Sequence, residues 1–140
     1  MQQTIKLIKM KRILLFPVLF LLLSACNKKE VVAPNFNVAI AQGKTTFKVG
    51  EQIDFTFTGN PNYITFYSGE TGRMYEFRDR ITAGARTDIG VPIQNMTTQL
   101  LSYPYSYTEE GTYKVTFVVS NTSVYGSITD VKEIVLSITP

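Results

Sequence analysis

Alternation of apolar and polar positions begins at Phe36 and continues, with interruptions, to the C-terminus. In Phe36-Asn37-Val38-Ala39-Ile40 the large apolar side chains recur every second residue, the period of a half-buried strand. Gln42-Gly43-Lys44 turns the chain, Thr45–Lys48 is a short extended piece, and Val49-Gly50-Glu51 turns it again. Gln52–Thr58 alternates cleanly, with Ile53, Phe55 and Phe57 on one face and Asp54, Thr56 and Thr58 on the other. Its β-branched and aromatic content suits a pleated surface. Gly59-Asn60-Pro61-Asn62 is a loop by its turn chemistry.

A third main strand is expected over Tyr63–Tyr67, ended by Ser68-Gly69-Glu70-Thr71-Gly72. Arg73–Arg78 alternates again, with Tyr75 and Phe77 together. Between Asp79 and Ser102 the pattern weakens at Gly84, Gly90 and Pro92, and only Met96–Leu101 reads as a short strand. Order returns at Tyr105. Tyr113, Val115, Phe117 and Val119 share a face, which predicts a core strand; Thr122–Ser127 reads as a loop. The last strand, Ile128–Thr139, places Ile134, Leu136 and Ile138 inward. No segment carries a convincing helical stripe. Short strands with regular turn signals predict an all-β, antiparallel sandwich.

The first residues follow different rules. Lys6, Lys9, Lys11 and Arg12 precede the apolar run Ile13–Leu23, and small residues follow it. A basic, then apolar, then small sequence is the layout of a secretory signal peptide. The run is too short for a membrane helix, which needs roughly 20 apolar residues. Translation starting at Met10 would leave Lys11-Arg12 to supply the charge. This divides the chain into a signal segment (1–25), Cys26 with a tether (26–35), and a domain (36–140). Cys26 is the single cysteine, so an intrachain disulfide is excluded and the domain must stand on its apolar core.

The leader also changes the charge. The whole chain carries 14 Lys/Arg and 11 Asp/Glu, a formal net charge of +3. Four of the basic residues and none of the acidic ones lie in 1–25, so the remainder is slightly acidic, at −1. Without clustered excess Lys/Arg there is no footprint for nucleic acid.

Leu23-Ser24-Ala25-Cys26 resembles the lipobox of bacterial lipoproteins at all four positions. The resemblance implies that Cys26 is lipidated, that the chain is cut before it, and that the membrane is reached through the lipid. Asn27 differs from the aspartate of the enterobacterial inner-membrane retention pattern. Lys28-Lys29-Glu30 loosely resembles the charged surface-export signals of Bacteroidetes lipoproteins. The implied location is the outer membrane, at the cell surface.

The closing strands carry a second resemblance. Tyr107, Gly111, Tyr113, Val115, Phe117, Val119 and Asn121, followed by Ile134-Val135-Leu136, look like the end of a PKD domain, an immunoglobulin-like sandwich. Val49–Phe55 resembles the second strand of that family. The resemblance implies a tyrosine corner at Tyr113, its hydroxyl bonding upstream backbone. The PKD Trp-x-Phe-Gly-Asp-Gly-like segment is replaced here by Ile64–Gly72 and Tyr75–Arg80. That variant resembles the N-terminal domain of a Bacteroidetes surface-lipoprotein group, DUF5017, over roughly residues 36–139. It implies a place beside a polysaccharide-uptake system and no activity. Proteins of the group often continue into a second domain, whereas this chain stops after the last strand.

Catalytic chemistry has little material. Without His there is no Ser-His or Cys-His pair. Glu70, Glu76 and Asp79 are close in sequence but alternate with Arg73, Arg78 and Arg80, which reads as solvated surface charge. No Asp-x-Asp-x-Asp spacing supports a metal, and no cofactor is expected. The 8 Tyr, with no Trp, offer more. Tyr63, Tyr67, Tyr103, Tyr105 and Tyr125 lie at loop edges or out of step with apolar neighbours. With Asn60, Asn62 and Arg73 they are candidate sugar-stacking and hydroxyl-binding residues. The plain alternative is that each Tyr packs a strand with its tip left wet. Two functions stay open: a non-enzymatic glycan-binding module, or a structural or adhesive spacer that contacts protein partners.

Overall fold

The computed structural model describes residues 30–80 and 85–140. Leu23, Ser24, Ala25, Cys26 and the expected signal segment (1–25) lie outside the described residues. Strands β1 (Phe36–Ile40), β3 (Ile53–Gly59) and β6 (Ser102–Tyr105) form one sheet in the order β1-β3-β6. The second sheet runs β2-β8-β7-β4-β5, from β2 (Thr46–Lys48), β4 (Tyr63–Tyr67), β5 (Val91–Gln94), β7 (Gly111–Ser123) and β8 (Gly126–Thr139). The two sheets pack face to face, as in an immunoglobulin-like sandwich.

Side chains from alternate positions fill the space between them. Phe117 of β7 lies 5.2 Å from Phe55, 5.3 Å from Phe57 and 5.4 Å from Phe66, ring centre to ring centre. Ile53, Ile64, Val115, Val119 and Leu136 are also fully buried. The alternation that predicts β1, β3, β4 and β7 therefore selects the core correctly.

Five ladders are antiparallel, but β2 runs parallel to β8. After β1 the chain turns at Gly43, leaves the first sheet and lays β2 along the C-terminal end of β8. Ser137 N–H donates to Thr45 O at 2.9 Å there.

Three local expectations change. Arg73–Arg78 is not extended: Tyr75–Phe77 is a single 3-10 turn with none of its residues buried. It lies over the outer face of the second sheet, where Tyr75 meets Tyr67 edge-on at 5.4 Å and Glu76 reaches Lys114 at 3.4 Å. Buried Asp88 pins this excursion by accepting from Met74 N–H at 2.8 Å and from Arg86 Nε at 2.7 Å.

Met96–Leu101 is not a strand. The Asn95 side chain accepts from Thr97 N–H at 3.0 Å and from Thr98 Oγ1 at 3.0 Å, closing a turn, and strands β5 and β6 flank it instead. Pro92 is accommodated because β5 is an edge strand with a register shift beside it. The expected loop Thr122–Ser127 shrinks to Val124-Tyr125, because β7 and β8 stay paired up to Ser123 and Gly126.

Candidate functional site

Opposite β8, the sandwich is open between the edge strands β5 and β6. Tyr103 and Tyr105 alternate with Pro104, so both rings point toward the core side of β6, each 5.0 Å from the Phe66 ring. Below them the chain leaves β4 through a tight turn. Gly69 N–H donates to Arg73 O at 3.0 Å and Arg73 N–H to Glu70 O at 2.8 Å, which fixes Glu70 and Arg73 at the cleft mouth. Phe66, Ser68, Glu70, Arg73, Val91 and Tyr105 enclose a space of about 220 Å³.

One carboxylate oxygen organises the polar side of the cleft. Glu70 Oε2 accepts from Ser68 Oγ at 2.6 Å and from the Tyr105 hydroxyl at 2.5 Å. Burial, reinforced by the bond to Glu70, pushes the Tyr105 hydroxyl up to about 12. Tyr105 therefore stays a neutral donor throughout the physiological range. Burial also raises Tyr103, against a smaller opposing effect of the Arg73 charge. Arg73 spends one nitrogen, Nη1, on Ile89 O at 3.1 Å. A guanidinium has five N–H donors, so others remain for a ligand.

The sequence candidates thus divide. Tyr105 and Arg73 line the cleft, and Tyr103 stands beside them. Tyr67 is buried on the outer face of the second sheet beneath Tyr75, so it offers no stacking surface. Two side-chain-to-backbone bonds tie Asn62 to β7: Asn121 Oδ1 accepts from Asn62 N–H at 2.9 Å, and Asn62 Oδ1 from Thr122 N–H at 2.9 Å. Asn62 is therefore committed to holding the loop. Asn60 is exposed in that loop, Tyr63 is half-buried at the start of β4, and Tyr125 is exposed at the β7–β8 tip. None of these three lines the cleft.

Phe66, Ser68 and Val91 line the cleft and were not sequence candidates. Glu70, expected as solvated surface charge, is instead half-buried in the cleft lining, where it accepts from Ser68 and Tyr105. The turn-rich Ser68–Gly72 segment marks a loop but not its partner. Glu70 and Tyr105 are separated by 35 positions, and no local pattern joins them. Glu76 is taken up by Lys114 and Asp79 by Arg78, at 3.4 and 2.8 Å, which leaves Glu70 as the carboxylate in the cleft lining. Among the described residues no group of three or more His, Cys, Asp or Glu is placed to hold a metal ion.

At the β7 entry, Tyr113 donates its hydroxyl to Glu109 O at 3.0 Å and stacks on Tyr107 at 4.2 Å. This is the tyrosine-corner geometry, with the hydroxyl tied to backbone four residues upstream. No helix among the described residues is long and apolar enough to cross a membrane.

A search of curated proteins finds no match for the chain. The family described as a domain of unknown function, DUF5017, matches residues 25–133, spanning both sheets and every residue of the cleft. The chain belongs to the DUF5017 family.

Proposed function

We propose that this protein is a lipid-anchored outer-membrane module of the cell surface that captures glycan without transforming it, beside a polysaccharide-uptake system. The observation that carries the reading is the cleft, where an aromatic wall of Phe66 and Tyr105 faces Ser68, Glu70 and Arg73. A sugar ring presents C–H groups to an aromatic face and hydroxyls at its rim, so it needs both kinds of surface at once. The bonds within the cleft fall on Glu70 Oε2. Oε1 is thus the acceptor for a sugar hydroxyl, and the Arg73 nitrogens that have no partner among the described residues are the donors. Ligand pockets commonly span roughly 300–1,000 Å³; the smaller space here suits one sugar unit of a longer chain. Cys26, following Leu23-Ser24-Ala25, would carry the lipid that holds the module at the membrane.

The test is binding of the purified protein to immobilised plant, host and microbial glycans. Binding to one class, lost in Tyr105→Ala and Arg73→Ala and kept in Tyr125→Ala, supports capture at the cleft. Silence across the panel from a folded protein discards it. The second reading, a spacer or adhesive module that contacts protein, is favoured by one observation: β8 leaves much of its outer edge unpaired among the described residues.

A further inference from the structure

On its outer side β8 is paired with β2 only at Ser137–Thr139. From Gly126 to Leu136 its sole partner among the described residues is β7. The two-residue loop Val124-Tyr125 makes Ser123 and Gly126 the closing hydrogen-bonded pair. The even-numbered residues of β8 then bond to β7, and the odd-numbered ones direct their N–H and C=O groups away from it. The Ser137 N–H bond to Thr45 O obeys the same parity. Ser127, Thr129, Glu133 and Val135 therefore present N–H and C=O groups to an incoming strand; between them Val131 N–H is held by its neighbour Asp130 Oδ1 at 2.8 Å, a bond that pairing would exchange for one to the second strand. Ile128 and Val135 add exposed apolar surface along this stretch, at 38% and 58%.

We propose that this edge pairs antiparallel with the same edge of a second copy, about a two-fold axis through Val131, joining two five-stranded sheets. Three features select the occupant and the register. The free stretch Gly126–Leu136 is centred on Val131, so this register uses all of it and stops where the second copy's β2 begins. It sets odd residue against odd residue, as the outward hydrogen bonds require.

Charge supplies the third argument. Around Val131, Asp130 of one copy faces Lys132 of the other, and Ile128 faces Ile134. Within one chain Lys132 already pairs with Asp130 at 2.9 Å, so the two-fold builds a ring of alternating charge. Moving the axis to Glu133 would set that carboxylate against its own copy and Asp130 against Leu136. Moving it to Thr129 would leave Glu133 and Val135 outside the ladder and set Asp130 against Ile128. A charged residue on an open edge guards against indiscriminate pairing; here Asp130 and Lys132 meet opposite charges in this register and in neither neighbouring one. The interface is isologous, and it lies on the edge opposite the β5–β6 cleft, which it leaves open.

Cross-linking of the full chain in detergent tests the register. Paired hydrogen-bonded residues stand about 5.5 Å apart at Cα, within the roughly 4.4–6.8 Å a disulfide spans. Val131→Cys should give a cross-linked dimer on mild oxidation, well above the wild-type background. Val135→Cys should not, since its two copies lie roughly 25 Å apart in this register. In sedimentation, Lys132→Asp should weaken the dimer about tenfold or more through like-charge contact, and the exchange Asp130→Lys with Lys132→Asp should restore it. Equal cross-linking at both positions, or a Lys132→Asp chain that dimerises like the wild type, overturns the pairing.

Discussion

The Tyr107 hydroxyl donates to Ser68 O at 2.7 Å, joining the segment before β7 to the turn that carries Glu70. Tyr107 is 1% exposed and Ser68 is 3% exposed, so neither group has water as an alternative partner. Burial raises the Tyr107 hydroxyl far above its ordinary value and keeps it a donor. The bond thus ties the floor of the cleft to the same tyrosine that stacks on Tyr113.

Tyr107→Phe keeps the ring and deletes the donor, leaving a buried carbonyl unsatisfied. The expected loss is about 1–3 kcal/mol of stability, read from chemical denaturation. It should come with weaker glycan binding if the cleft is the site, because the Ser68–Arg73 turn loses its tie. An unchanged denaturation midpoint would mean that Ser68 O finds another donor.

Gly59 closes the β1–β3 ladder opposite Phe36 with φ at +99°, a conformation open to glycine. A Cβ there would collide with the Asn35 carbonyl, which is backbone and cannot swing away. Gly59→Ala should cost about 1–3 kcal/mol from conformation alone, and more from the collision. Hydrogen exchange should localise the damage: the Asn60 amide, bonded to Asn35 O at 3.1 Å, should lose protection first.

Alkaline titration gives a prediction with a defined sign. The folded chain holds the Tyr105 proton more tightly than the unfolded chain, with an ordinary value of 10.0 raised to about 12. Its contribution to stability is therefore complete below pH 10 and is lost as pH rises toward 12. Tyr105→Phe should make the decline of stability across this window shallower. Tyr107 and Tyr67, also raised by burial, should leave a residual slope. A mutant curve as steep as the wild-type curve would place the titrating group elsewhere.

Cys26→Ser tests the anchor. Expression in a bacterium with lipoprotein processing should yield an uncleaved precursor that takes up no labelled fatty acid, whereas the wild-type chain is shortened and labelled. Equal labelling of the mutant would remove the lipobox reading and, with it, the surface location.

Legibility in the sequence followed distance along the chain. Ile53, Phe55 and Phe57, or Val115, Phe117 and Val119, announce a buried face because strand side chains alternate and one face must leave water. Tyr113 was legible too, since its hydroxyl bond spans four residues. Arg73–Arg78 misled because alternation alone cannot exclude a short 3-10 turn. There the outer-face contacts of Tyr75 and Glu76 outweigh local strand preference.

By itself, then, the sequence determined the all-β class and the residues of the core. Both follow from neighbouring positions, through the two-residue period of a strand. Only the tertiary structure decided that Glu70 meets Tyr105, that Tyr67 is covered while Tyr103 and Tyr105 border an opening, and that β8 keeps a free edge. Those outcomes depend on which strands become neighbours and how the two sheets stack. That order is set by burying all the apolar faces at once, so no single segment encodes it.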